Sequence, residues 1–257
     1  MALFFEGLRN IPLEHAILYS LLVNIALFLA TLVAGHFLVQ CYHDRPTTSP
    51  PAPISCQELL LACSSVVWNA LITILGFVLW RAHIIVLRMD LDWRVLSDTV
   101  ILLLSMDFAM YVFHRIAHHP WFYPWIHMTH HRYENPRPLS LFVLNPFEVL
   151  GFGLLWLVIL VLSHVSWLGA LIYLVMNLLF GLCGHLGVEP FPRAWLTIPL
   201  LRTISTSTFH TEHHLDQHHN FGFYTLLWDH LFGTLSPNYQ HDFRATFQQE
   251  RNHRDLV

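Results

Sequence analysis

The hydrophobic pattern divides the chain into long apolar stretches separated by short polar connections. Met1 to Glu14 mixes Phe4, Phe5, Leu8 and Ile11 with Glu6, Arg9 and Glu14, as expected of an interfacial lead-in. From His15 to Gln40 only Ser20, Asn24, Thr31, His15 and His36 interrupt an apolar run. At about 1.5 Å per helical residue, this run covers a hydrocarbon core of roughly 30 Å. It is too long for a signal-peptide core and has no clear cleavage signal, so a permanent span is expected. Leu59 to Trp80, closed by Arg81, predicts a second span, and Val95 to Phe113 a third that runs directly into His114. Between these two, Ala82 to Trp93 carries Arg88, Asp90 and Asp92 and reads as an interfacial turn. Phe147 to Ser163 and Trp167 to Gly184 form an apolar helical hairpin around a tight turn at 164–166. The first arm, about 25 Å long as a helix, either crosses the bilayer or re-enters it. The tail from Ser236 to Val257 is polar and is expected to form a short surface helix.

Composition supports this pattern. Of 257 residues, 54% are hydrophobic and 12% charged, with a mean hydropathy of +0.47. The expected fold is all-α, an integral-membrane helical bundle of three long spans plus the hairpin, capped on one face by a histidine-rich helical domain for two metals. One domain is expected over 1–257, with its catalytic core at about 97–237, because Asp44 to Pro53 is short enough to be a loop. The net charge is -4, every basic residue is arginine, and nothing points to nucleic acid. Cys41, Cys56, Cys63 and Cys183 lack metal-site spacing and read as small buried apolar residues. Cys41 and Cys56 flank the Pro-rich loop and suit a disulfide only in an oxidising compartment, which the topology disfavours.

Counting spans places the N-terminus and the turn near Arg81 on one face and the Pro-rich loop and the histidines on the other. Arg45, Arg115, Arg132, Arg137, Arg193, Arg202, Arg244, Arg251 and Arg254 then share the histidine face, against Arg9, Arg81, Arg88 and Arg94 opposite. The positive-inside rule favours a cytoplasmic site.

Three of the stretches are dense in histidine: HRIAHH at 114–119, HMTHH at 127–131 and HTEHH at 210–214. Residues three and four apart share a helix face, so each stretch offers a row of imidazoles to one point in space. Eight histidines exceed what one tetrahedral zinc uses, and the natural count is two ions. A zinc hydrolase acting on lipid amides or esters would leave most of the cluster idle. A metal transporter would carry its polar residues within the bilayer rather than beyond the span ends. Two redox-active irons with open positions would instead activate dioxygen to attack an unactivated C–H bond of a lipid.

The order HxxxHH, HxxHH, HxxHH, with NFG, WD and FGT after the last, resembles the fatty acid hydroxylase and sterol desaturase superfamily of integral-membrane oxygenases. The tail HTEHHLDQHHNFGFYTLLWDHLFGT is most similar to the sterol C-5 desaturase branch. The resemblance covers roughly Asp107 to Pro237. It implies a di-iron centre, O2 as co-substrate, and electrons from NAD(P)H through cytochrome b5 or a ferredoxin. Hydroxylation or desaturation of a sterol, fatty acyl chain or similar lipid would follow, in the endoplasmic reticulum membrane of a eukaryote or the inner membrane of a bacterium. The catalytic metal ligands it carries over are His114, His118, His127, His130, His131, His210, His213 and His214, with His185 at the end of the hairpin as a ninth ligand. Alcohol or alkene depends on substrate placement, which the sequence does not specify.

Other residues keep two readings. His119 is either a ligand or a hydrogen-bonding neighbour of one, and His218 and His219 are neighbours or surface groups. Asp107, inside the third stretch, is a functional acid or a partner of Tyr111. Asp229, Glu148 and Glu189 either orient a ligand imidazole or serve structure, Asp229 by capping a helix or binding an arginine. Trp121, Phe122, Tyr123 and Trp125 read as an interfacial aromatic belt or as the rim of a lipid entrance.

Overall fold

The computed structural model describes residues 2–254, and among them the regular structure is entirely helical, with three isolated bridges and no strand. The helices are α1 (Ala2–Arg9), α2 (Leu13–Cys41), α3 (Cys56–Arg81), α4 (Arg94–Ala117), α5 (Tyr123–Ile126) and α6 (Met128–His131). They continue with α7 (Pro146–Leu162), α8 (Trp167–Gly184), α9 (Ser207–Leu215), α10 (Leu227–Phe232) and α11 (Tyr239–Arg254). Four of them, α2, α3, α4 and α8, are long and apolar enough to cross a membrane. The protein is a multi-pass membrane helical bundle.

Local sequence explains where the helices begin. Ser55 accepts from Glu58 N at the start of α3, and Ser166 accepts from Gly169 N at the start of α8. Asn145 accepts from Phe147 N with Pro146 in the first turn of α7, and Thr206 caps α9 through Phe209 N. Each side-chain oxygen satisfies a backbone donor that the helix geometry leaves unpaired.

The bundle is α2 on α3, α3 on α7, and α4 against both α7 and α8. Its outer surface is apolar, with Leu22, Val33 and Phe37 of α2 among many exposed side chains, as expected where lipid replaces water. At one end, Phe5 of α1 meets Trp80 and Trp167, and Arg88 N donates to Val165 O. Arg88 also pairs with buried Asp98, whose Oδ2 accepts from Ser166 N. The turn of the α7–α8 hairpin therefore lies level with the end of α3 and the start of α4, and the hairpin runs the full depth of the bundle. At the other end, Thr47 N donates to Gly187 O, and Arg137 forks onto both oxygens of Glu58 at 2.8 Å. The Pro-rich loop thus sits at the histidine end.

Two expectations need correction. Cys41, Cys56 and Cys63 are exposed rather than buried, and no disulfide joins them. They lie on a surface that needs no hiding from lipid or headgroups. The C-terminal segment is more than a surface helix, because Tyr239, Phe243 and Phe247 of α11 recur at every fourth position. They bury themselves against Phe209 and Leu226, so α11 braces α9 from behind.

Candidate metal centre

Nine histidines converge at one end of the bundle. His114 and His118 come from the last turn of α4 and its cap, and His127, His130 and His131 from α6 and its cap. His185 caps α8, and His210, His213 and His214 line α9. The second box is thus one helical turn rather than a helix of several. The ligand atoms form two groups, His114, His118, His127, His131 and His213 in one and His130, His185, His210 and His214 in the other. Within each group, the ring nitrogens lie within 4.8 Å of one another.

Each box was expected to address a single point, and the structure divides the second and third instead. His114 with His118, His127 with His131, and His210 with His214 stay together, while His130 and His213 cross to the other group. The reason is angular. Residues four apart are offset by about 40° around a helix, three apart by about 60° the other way, and neighbours by about 100°. An HxxHH box therefore keeps its i,i+4 pair and sends the middle histidine elsewhere.

The ring contacts are close. His114 Nε2 lies 2.8 Å from His127 Nε2, and His213 Nε2 lies 3.1 Å and 3.0 Å from those of His118 and His131. In the other group, His185 Nε2 is 3.2 Å from the Nε2 atoms of both His130 and His210, and His210 and His214 are 3.2 Å apart. These cannot all be hydrogen bonds, because the other ring nitrogen is already used as a donor. His114 Nδ1 donates to Phe221 O, His213 Nδ1 to His219 O, His185 Nδ1 to Gly181 O and His130 Nδ1 to Val143 O. A carbonyl oxygen can only accept, so each of these Nδ1 atoms carries the proton and each Nε2 is a bare lone pair. His130 and His185 thus face each other lone pair to lone pair. The same holds for His114 and His127, whose Nδ1 donates to Glu148 Oε1 at 2.7 Å.

Opposed lone pairs at this distance repel unless a cation lies between them. A metal–nitrogen bond of about 2.1 Å gives adjacent ligands of an octahedron about 3.0 Å apart, within the range seen here. The residues therefore fit two metal ions, one per group. Burial, more than the neighbouring rings, holds the imidazoles neutral. It pushes His118 down to about 2, His130 to about 3 and His185 to about 4, and it lowers His127, His131, His210, His213 and His214 as well. Neutral imidazole is the metal-binding form.

A surrounding layer of polar groups sets this geometry. Asp229 accepts from Phe221 N and Gly222 N at 2.8 Å each and from Thr234 Oγ1 at 2.7 Å. It neither caps a helix nor meets an arginine. It holds the loop whose Phe221 carbonyl orients His114. Asp107 accepts from Tyr224 N, Thr225 Oγ1 and Trp228 Nε1, whereas Tyr111 bonds Thr234 instead. This acid of α4 therefore fastens the start of α10 to the bundle. Glu189 accepts from Thr208 N, Thr208 Oγ1 and Phe191 N at the entry to α9, and burial pushes it up to about 7. Of the four carboxylates with two readings, only Glu148 touches a ring of the cluster.

His119 belongs to neither group. With Arg115, His118, Tyr123, Gln217 and His218 it lines a cavity of about 460 Å³ beside the five-histidine group. His219 bonds Asp216 and lends its carbonyl to His213. Trp121 and Trp125 are exposed, while the ring of Tyr123 lies tilted against His118 at 5.4 Å. Sequence reasoning missed the acceptors Phe221, Gly181, Val143 and His219, which act through backbone carbonyls and carry no side-chain signature. It also passed over Asn220, fully buried at φ 60°, which bonds Phe209 O, Glu212 and Ser236 N. The NFG run is the available signal, since asparagine tolerates the left-handed backbone.

A membrane helical bundle lined at one end by two groups of buried histidines is the class of protein these features define. The model of the fatty acid hydroxylase family matches residues 99–234, a range that includes all nine histidines, and the chain belongs to that family. Relatives include a very-long-chain aldehyde decarbonylase of Oryza sativa subsp. indica, 30% identical over 56% of this chain and 24% of its own length. A delta(7)-sterol 5(6)-desaturase of Leptosphaeria maculans is 29% identical over 51% of this chain and 35% of its own. A cholesterol 25-hydroxylase-like protein of Danio rerio is 29% identical over 55% and 57%. The chain thus spans between about a quarter and just over half of these relatives. No solved structure matches it.

Proposed function

We propose that the protein is a membrane-bound oxidoreductase that holds two iron ions with nine histidines. It uses O2 and external electrons to hydroxylate or desaturate a lipid C–H bond. The observation that carries this reading is the meeting of bare imidazole nitrogens at 2.8 to 3.2 Å in two separate groups. His114, His118, His127, His131 and His213 would hold one ion, and His130, His185, His210 and His214 the other. When bound, the two irons supply redox electrons and open positions for dioxygen chemistry at a C–H bond.

The protein's own residues do the rest. Glu148 keeps the proton on His127 Nδ1, and carbonyls of Phe221, His219, Gly181 and Val143 do the same for four other rings, leaving the Nε2 atoms of these five free to coordinate. Phe223, which packs on the ring of His114 at 5.2 Å, excludes water from the membrane side of the five-histidine group. The cavity beside His118 gives the same group its opening to solvent, where an electron-transfer protein would approach. The names of the relatives support a lipid substrate, sterol-like or fatty acyl. The arginine excess on the histidine side supports a cytoplasmic active site, in the endoplasmic reticulum or a bacterial inner membrane. The catalytic unit would be about 97–237 within one domain.

Metal analysis of anaerobically purified protein, followed by lipid-dependent O2 consumption with a reductant, tests this reading. Two irons per chain and oxidised lipid are expected. Zinc with a hydrolysed product overturns it.

A further inference from the structure

The two arms of the α7–α8 hairpin are consecutive in sequence, yet α7 packs on α3 and α4, and α8 on α4, rather than on each other. Between their backbones the space is filled by aromatic rings. Trp156 of α7 stacks on Tyr173 of α8 at 4.7 Å, Phe152 meets Phe223 at 5.3 Å, and Phe180 meets Tyr224 at 5.1 Å. Phe223 in turn reaches the ring of His114. A continuous apolar seam therefore leads from the lipid-facing side of the bundle to the five-histidine group.

One polar group in this seam is unspent. Tyr224 Oη donates to Asn177 Oδ1 at 2.6 Å, bonds Tyr173 Oη at 2.9 Å and touches Met110 Sδ at 3.3 Å. Asn177 Nδ2 has no hydrogen bond among the described residues, and the side chain is half-buried at the edge of the packed face of α8. Turning the amide over changes which end is unpaired but leaves one end without a partner. An amide donor or acceptor facing hydrocarbon is costly, and Phe180 and Met110, which pack against Tyr224 beside it, are apolar.

Its depth is defined. Asn177 precedes His185 by eight residues, about 12 Å along α8, and Met110 precedes His114 by four, about 6 Å along α4. We propose that Asn177, supported by the hydroxyls of Tyr224 and Tyr173, is a lipid-binding foothold. It would hydrogen-bond an oxygen of a lipid molecule whose apolar body lies along the seam of Phe152, Phe180 and Phe223. The ligand class is a lipid carrying a hydroxyl or carbonyl roughly 6 to 12 Å from the carbon that lies beside the histidines. The inference rests on the proposed function for the identity of that carbon, but the binding site itself needs neither metal nor turnover. Asn177 acts as a positioning residue.

The test uses full-length protein in phosphatidylcholine vesicles and two photoreactive long-chain probes of equal length, one a fatty alcohol and one the alkane lacking its hydroxyl. Covalent labelling is measured on metal-free and metal-loaded protein. The wild type is expected to label about tenfold more strongly with the alcohol, the size of one good buried hydrogen bond. In Asn177→Leu the alcohol should fall to the level of the alkane while alkane labelling, which reports the intact seam, stays unchanged. Equal labelling of the wild type by both probes overturns the proposal without recourse to any variant. An undiminished preference for the alcohol in Asn177→Leu overturns it as well. Failure of the oxygenase reading would show as absent iron or O2 consumption and would leave this labelling contrast in place.

Discussion

Replacing Glu148 by glutamine is the most informative single change at the metal centre. Glu148 is 1% exposed, its Oε1 accepts the His127 Nδ1 proton at 2.7 Å, and its Oε2 is buried without a partner. In Glu148→Gln the hydrogen bond to His127 persists through the amide oxygen, but the negative charge that strengthens the imidazole as a ligand is gone. An unpaired NH2 also takes the place of Oε2. Removing such a partner of a metal-bound histidine typically weakens metal binding by about 10- to 100-fold, or about 1.4 to 2.7 kcal/mol. His127 belongs to the five-histidine group alone, so one ion should leave under graded chelation well before the other. The metal-free protein should respond in the opposite sense. A buried carboxylate without a cation is itself unfavourable, and its neutral replacement should leave the unfolding temperature of the chelated protein unchanged or raised. Metal per chain by emission spectroscopy, paired with thermal unfolding of loaded and chelated samples, reads both effects. Equal loss of both ions, or a drop in stability confined to the chelated form, would refute the reasoning.

Other outcomes follow from the surrounding structure. Asp229→Ala strands the Phe221 and Gly222 amides and the Thr234 hydroxyl, and should cost about 2 to 4 kcal/mol together with metal retention, measurable as a lower unfolding midpoint and lower metal content. Arg137→Met leaves Glu58 buried without its bidentate partner and should destabilise by about 3 to 5 kcal/mol, with Glu58→Gln in the same chain restoring much of the loss. Gly187 sits at φ +72°, and a Cβ there would lie 2.5 Å from Pro136 O, so Gly187→Ala should lower the unfolding temperature even though no ring is touched. For pH, the sign is set by the imidazoles that burial holds below their ordinary value of about 6.5. The unfolded chain takes up protons there that the folded chain refuses. Their contribution is complete above about pH 6.5 and is lost progressively as pH falls toward the range of about 2 to 4. Glu189 and Glu212, pushed up to about 7 by burial, act oppositely and lose their contribution as pH rises from about 4.5 to 7. The histidines outnumber them, so unfolding midpoints of metal-free protein scanned from pH 7.5 to 5 should fall, and a flat or rising profile would contradict this.

Much of the architecture was legible because lipid enforces one rule. Continuous apolar runs must be helices, and His15 to Gln40, Leu59 to Trp80 and Trp167 to Gly184 could be delimited to within a few residues. The nine histidines were legible for a related reason, since burying that many imidazoles together demands a common chemical purpose. What stayed hidden was the division of the second and third boxes between two groups. It depends on how α6 and α9 are rotated toward each other, a tertiary relation with no local signal. The acceptors for Nδ1 stayed hidden because a carbonyl belongs to every residue. Asp107 and Asp229 look like candidate chemistry in the sequence, yet they hold the loop from Asn220 to Trp228 in place. Their burial came from the need to pair backbone donors inside an apolar surround. The inner face of α11 was overlooked because three aromatics among sixteen otherwise polar residues give a weak pattern until Phe209 is seen behind them.

The central claim is that two ions are held separately, one by five histidines and one by four. Metal analysis of anaerobically purified His118→Ala and His214→Ala, alongside the wild type, addresses it most directly, since the two residues belong to different groups. The account predicts two irons per chain in the wild type and close to one in each variant. A single tightly held zinc in all three proteins, or loss of all metal from either variant alone, would contradict it.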